Sequence, residues 1–157
     1  MARTLILIGA MVLLVGCSGG SIESRLTPVQ RDALHDFLAD HSKAEILETS
    51  DCTSPLLDQY LATHSLYLPY YAEADFNGDG NLDFVIATST AGAYDLWLFL
   101  GTGAGYRTPQ SFATFSSLPK WGMIVKGNRL FVGALDESEG RTYAWNAQAD
   151  RLVVMGR

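Results

Sequence analysis

The spacing of apolar residues changes three times along this chain. Leu5 to Val15 is an unbroken apolar run of eleven residues. From Thr27 to His41, Val29, Ala33, Leu34, Phe37 and Leu38 recur three and four apart. Arg31, Asp32, Asp36 and Asp40 fall opposite them, which is the spacing of an amphipathic helix. Thr27-Pro28-Val29-Gln30 supplies its start: Thr27 caps, Pro28 suits the first turn and Gln30 completes a capping box. The helix is expected to end near His41-Ser42. Ser54-Pro55 repeats the start signal for a shorter helix through Leu56, Leu57, Tyr60 and Leu61.

From Leu66 onward the pattern is that of strands. Tyr67 to Ala74, Phe84 to Thr88, Tyr94 to Leu100, Ser111 to Phe115, Gly122 to Val125, Leu130 to Leu135, Thr142 to Trp145 and Leu152 to Met155 are rich in β-branched and aromatic residues and bounded by turn signals. Gly127-Asn128 reads as a hairpin turn. Gly101-Thr102-Gly103-Ala104-Gly105 is another turn; no Lys-Ser/Thr or helix start follows it, so it is not a phosphate loop. No segment recurs, which argues against a repeat architecture. The expected fold is α+β, with one or two N-terminal helices packed on an antiparallel sheet of about six to eight strands.

The N-terminal run is too short to cross a bilayer as a helix, which needs about 20 residues. Behind Arg3 and the free amine it has the form of a signal-peptide core. It closes on Leu14-Val15-Gly16-Cys17, which resembles the lipobox of bacterial lipoproteins. The resemblance implies cleavage before Cys17, diacylglycerol on its sulfur and, in a Gram-negative cell, acylation of its amino group. Ser18 follows in place of the Asp that favours inner-membrane retention, which implies the outer membrane facing the periplasm. The expected organisation is a signal peptide over 1–16, a lipidated Cys and polar tether over 17–26, and a single globular domain over 27–157. The membrane is thus a partner through the lipid anchor.

The chain has 157 residues and a formal net charge of −6. An acidic balance excludes sequence-independent nucleic-acid binding, which needs clustered Lys and Arg. Two cysteines do not make a disulfide framework. With Cys17 lipidated, Cys52 has no internal partner. It reads as a small, partly buried thiol; a nucleophile would need a base, and none is visible.

One constellation carries chemistry. Asp75-Phe76-Asn77-Gly78-Asp79-Gly80-Asn81-Leu82-Asp83 places oxygen donors at alternate positions: Asp75, Asn77, Asp79, the Asn81 carbonyl and Asp83. Ca²⁺ wants about six to eight oxygens, and a tight coil of alternate carboxylates supplies them. Leu82 is expected to anchor the loop in the core. The competing reading is a polar turn that holds no ion. An EF-hand is excluded, because its twelfth position falls on Ile86 rather than a bidentate Glu, and strands flank the loop. Together with Phe84-Val85-Ile86, Trp97-Leu98-Phe99-Leu100-Gly101 and the turn to Tyr106, the loop resembles an FG-GAP/VCBS repeat, over residues 75–112. That resemblance implies Ca²⁺ bound by Asp75, Asn77, Asp79, Asn81 and Asp83 between hairpin strands. The family's Phe-Gly and Gly-Ala-Pro tripeptides are absent. A propeller needs about four blades or more, so its ligand-binding roles do not transfer.

His35, His41 and His64 are too scattered for zinc. Asp136, Glu137 and Glu139 read as a solvated hairpin tip, and Trp97, Trp121 and Trp145 as core. The functional expectation is a lipid-anchored envelope protein with a Ca²⁺-stabilised binding or accessory domain, whose partner is an envelope protein or glycan. No nucleophile–base motif points to an enzyme. The alternative is a periplasmic cell-wall hydrolase or glycan-binding protein, with carboxylates such as Glu73 or Asp95 near the metal.

Overall fold

A computed structural model of the chain describes residues 21–156. The apolar run and Cys17 lie outside the described residues. The single-turn helix α1 (Ile22–Arg25) leads into α2 (Pro28–Asp40). The capping box forms: Gln30 N–H donates to Thr27 Oγ1 (3.3 Å), and Thr27 N–H donates to Gln30 Oε1 (2.8 Å). The helix closes at His41, whose N–H donates to the Phe37 carbonyl. Its buried face is Gln30, Leu34 and Phe37, whereas Val29, on the expected apolar stripe, is exposed.

Beyond it come strand β1 (Glu45–Ile46), a 3₁₀ turn (Thr49–Asp51) and helix α3 (Leu57–Thr63). Strands β2 (Tyr71–Ala74), β3 (Asp83–Thr90) and β4 (Ala93–Phe99) follow. A small hairpin of β5 (Gly101–Thr102) and β6 (Gly105–Tyr106) leads to β7 (Gln110–Phe115). The last four strands are β8 (Gly122–Lys126), β9 (Arg129–Gly133), β10 (Gly140–Asn146) and β11 (Arg151–Val154). All recorded pairings are antiparallel.

In the first sheet β3 is central. β4 and then β7 lie on one side of it; β2 and β1 share the other, β2 opposite Asp83–Ile86 and β1 opposite Thr88–Ser89. The second sheet is a meander, β8 to β11. β8 meets β2, where Met123 N–H donates to the Pro69 carbonyl (2.8 Å), and β11 lies against β7. The core fills the space so defined. Phe84 and Phe99 stack (centroids 4.2 Å apart), and Phe37 of α2 packs on Phe99 and Trp97. Phe112 of β7 meets Tyr143 of β10 edge-on, joining the sheets. β3 is buried along six consecutive residues from Asp83, because both of its faces are covered.

The α+β class and the antiparallel pairing are as expected. The strands, however, divide between two principal sheets of five and four. Three boundaries move for physical reasons. Ile22 and Leu26 are 1% and 4% exposed, so the fold begins inside the stretch read as a tether, pulled in by two apolar side chains. β2 starts at Tyr71 rather than Tyr67, because Pro69 has no N–H to give a ladder. α3 starts at Leu57; Ser54 Oγ accepts from Leu56 N–H (3.4 Å) in a turn that precedes the helix.

Candidate metal centre

The loop 75–82 closes the β2–β3 hairpin, with Ala74 paired to Asp83 at its base. Asp75 organises it. Its Oδ1 accepts from Gly78 N–H (2.7 Å) and Asp79 N–H (3.1 Å), and its Oδ2 from Gly80 N–H (2.9 Å). The chain coils around that carboxylate because Gly78 and Gly80 sit at φ +76° and +85°, where a side chain is strained. Asn77 Oδ1 accepts from Asp79 N–H (2.9 Å). Asp79 in turn accepts from Asn81 N–H (2.8 Å), the Asn81 amide (3.0 Å) and the Asn77 amide (2.9 Å). These bonds, the Asn81 N–H foremost, hold the Asp79 carboxyl below the ordinary range, and Arg107 adds to the effect.

Asp83 sits differently. It is fully buried, and its Oδ2 accepts from Phe76 N–H (2.9 Å) while Oδ1 accepts from Gly101 N–H (2.8 Å). Burial raises its pKa, opposed by the Gly101, Phe76 and Asn77 N–H groups. Gly101 is required by proximity: a Cβ there would lie 2.4 Å from the Leu82 carbonyl oxygen. The loop is thereby clamped to the start of β5. Leu82 does not anchor it, being 51% exposed; Phe76, fully buried, does.

The structure thus brings Asp75, Asn77, Asp79 and Asn81 onto one half-exposed coil and sets the buried Asp83 beneath it. Among the described residues no three His, Cys, Asp or Glu side chains converge as a preformed metal cluster. The donor set nonetheless suits a hard cation. It is all oxygen, the chemistry a hard cation takes.

The other candidates have local partners. Glu73 Oε1 accepts from Gln30 Nε2 (2.9 Å), and Asp95 Oδ1 from Thr114 Oγ1 (2.6 Å), so each carboxylate is tied to a separate neighbour. His41 stacks on Phe37 and meets Trp97, and His64 stacks on Tyr60. Asp136, Glu137 and Glu139 occupy an exposed tip, where Glu137 pairs with Lys126. Cys52 is half-buried. Its neighbour Tyr70 donates to the Pro119 carbonyl (3.1 Å). Two structural ties were not read from sequence, Gln30 to Glu73 and Asp83 to Gly101. The second had a faint signal in the glycine run from Gly101, but no spacing rule places that run beside Leu82. Comparison with protein-family models, curated proteins and solved structures finds no match to this chain.

Proposed function

We propose that this chain is a lipid-anchored cell-envelope protein, held through Cys17 and facing the periplasm from the outer membrane. Its domain takes one Ca²⁺ in the loop Asp75–Asp83 and serves as a binding or accessory module. The observation that carries the metal reading is the coil of the loop around Asp75, with oxygen donors at alternate residues and Asp83 below. The resemblance of the same residues to an FG-GAP/VCBS loop supports it. Asp75, Asn77, Asp79, the Asn81 carbonyl and Asp83 would hold the ion, whose charge would offset the repulsion among three carboxylates. The accessory reading is supported by the separate structural bonds of Glu73 and Asp95, which tie these two carboxylates to different neighbours.

The test is calorimetric titration and melting of the processed protein in detergent, with calcium and with chelator. An ion that binds only the folded loop adds about 2.7 kcal/mol at a hundredfold excess over Kd. Sites in extracellular modules often have Kd of about 10⁻⁴–10⁻³ M, so millimolar calcium is the working range. Asp79→Ala should abolish the gain, and Asp136→Ala should preserve it. Identical melting in both conditions without binding heat would reduce the loop to a turn.

A glycan-binding reading has one observation in its favour. Trp121 lines an open cleft of about 650 Å³ with Arg129, Glu139 and Arg141. Tryptophan fluorescence during titration with soluble cell-wall fragments would test it, and a flat response would remove it.

A further inference from the structure

The fold begins closer to the anchor than the sequence pattern indicates. Ile22 is already buried in the core, and Ser21 is the first described residue. Glu48 fixes the point of emergence: Ile22 N–H donates to its Oε2 (3.0 Å), and Ser21 Oγ donates to its Oε1 (3.3 Å). Only Ser18, Gly19 and Gly20 separate Ser21 from Cys17. Four residue steps span at most about 14 Å, even fully extended. A domain of this size is about 35–40 Å across by the usual scaling of radius with length. The link is therefore less than half the width of what it carries.

From this geometry we infer that one face of the domain is held against the lipid headgroups. It is the face around Ser21, made of the Thr49–Asp51 turn and the outer side of α3. The inference rests on the reading of Cys17 as lipidated. The surface there is an open groove of about 570 Å³ lined by Ser21, Glu48, Thr49, Leu57, Asp58 and Leu61. α3 has no fully buried residue, so its leucines remain partly uncovered on this side. The groove's charged groups, Glu48 and Asp58, are acidic, and none of its lining residues is basic. An anionic surface would be repelled. A zwitterionic headgroup with a primary ammonium fits, since the ammonium donates to these carboxylates. The occupant is accordingly a phosphatidylethanolamine-type surface, apposed by the short link rather than selected from solution.

The experiment uses the full lipidated chain, with Cys52→Ser and a single reporter Ser50→Cys at the exposed groove residue that leaves both acidic groups in place, in vesicles of phosphatidylethanolamine and phosphatidylcholine. The readout is the rate of labelling by a bulky polyethylene-glycol maleimide. The expected rate is at least tenfold lower in vesicles than in detergent. It should recover when twelve Gly/Ser residues are inserted between Gly20 and Ser21, and should rise when phosphatidylglycerol replaces part of the neutral lipid. Equal rates for the short and long links overturn the apposition, and insensitivity to phosphatidylglycerol overturns the headgroup assignment. Palmitate labelling of the same samples separates the two levels: an unlabelled protein removes the anchor itself, whereas a labelled one with an accessible Ser50→Cys removes only the apposed face. Circular dichroism matching the unsubstituted chain excludes unfolding as the source of fast labelling.

Discussion

Two aspartates of one loop illustrate how burial separates roles that sequence makes look alike. Asp79 is exposed and bonded within the coil, while Asp83 is fully buried and satisfies two backbone N–H groups from different segments. Removing Asp83 strands both donors, and a buried unsatisfied group costs about 1–3 kcal/mol. Asp83→Ala should therefore lower unfolding stability by about 2–4 kcal/mol with or without calcium. Asp79→Ala should leave the calcium-free stability close to that of the parent and remove only the calcium response. Urea denaturation in calcium and in chelator distinguishes them; equal losses for both substitutions in chelator would contradict the division. The sequence presented the two as equivalent, because alternation reports which donors can face an ion and not which of them also faces the protein. The same limit applies to Leu82, whose type suggested an anchor, while Phe76 is the side chain that is buried.

The elements were legible where their signals are local. The Thr27–Gln30 box and the Gly127-Asn128 turn each lie within four residues, and both form where the pattern put them. Capping is worth about 1 kcal/mol, so Thr27→Ala should destabilise by about that amount in thermal or urea unfolding. Gln30→Ala should cost more, because the amide of Gln30 also donates to Glu73 and ties α2 to β2. A Gln30→Ala loss no greater than that of Thr27→Ala would show the tie to be energetically idle. What was not legible depends on partners far along the chain. β1 is two residues long and exists because Glu45 and Ile46 find Ser89 and Thr88 on β3. The clamp between Gly101 and the loop is of the same kind. Gly101→Ala would drive a methyl into the Leu82 carbonyl, and overpacking of this sort costs about 1–3 kcal/mol. That substitution should both destabilise the domain and weaken calcium binding, although residue 101 offers no ligand. Calorimetric titration of the variant, with an unchanged calcium affinity as the contrary result, checks it.

At the scale of the whole molecule, the eight strands expected from the pattern all form, whereas the short β1, β5 and β6 and the division into two principal sheets were not readable. Each strand announces its own period, but which edges meet is decided by long-range packing, such as Phe112 on Tyr143 and Met123 on Pro69. One consequence of that packing is how it treats tyrosine. Six of the seven tyrosines, Tyr60, Tyr67, Tyr70, Tyr71, Tyr106 and Tyr143, have pKa values raised above the ordinary value, and burial is the leading cause in every case. For Tyr71 the Glu73 carboxylate adds to the shift. A raised folded-state pKa means that the fold favours the neutral phenol. The associated stability is intact below the unfolded value of about 10 and is lost as pH rises beyond it. Alkaline unfolding should therefore be a single cooperative step above about pH 10, with phenolate absorbance appearing together with the loss of near-ultraviolet circular dichroism. Because the six rings come from α3, β2, β6, β10 and the segment before β2, ionisation of any one of them is coupled to opening of the shared interior. Phenolate absorbance that developed fully while the circular dichroism stayed native would mean that these rings ionise in place, and that the two sheets pack more loosely than their contacts indicate.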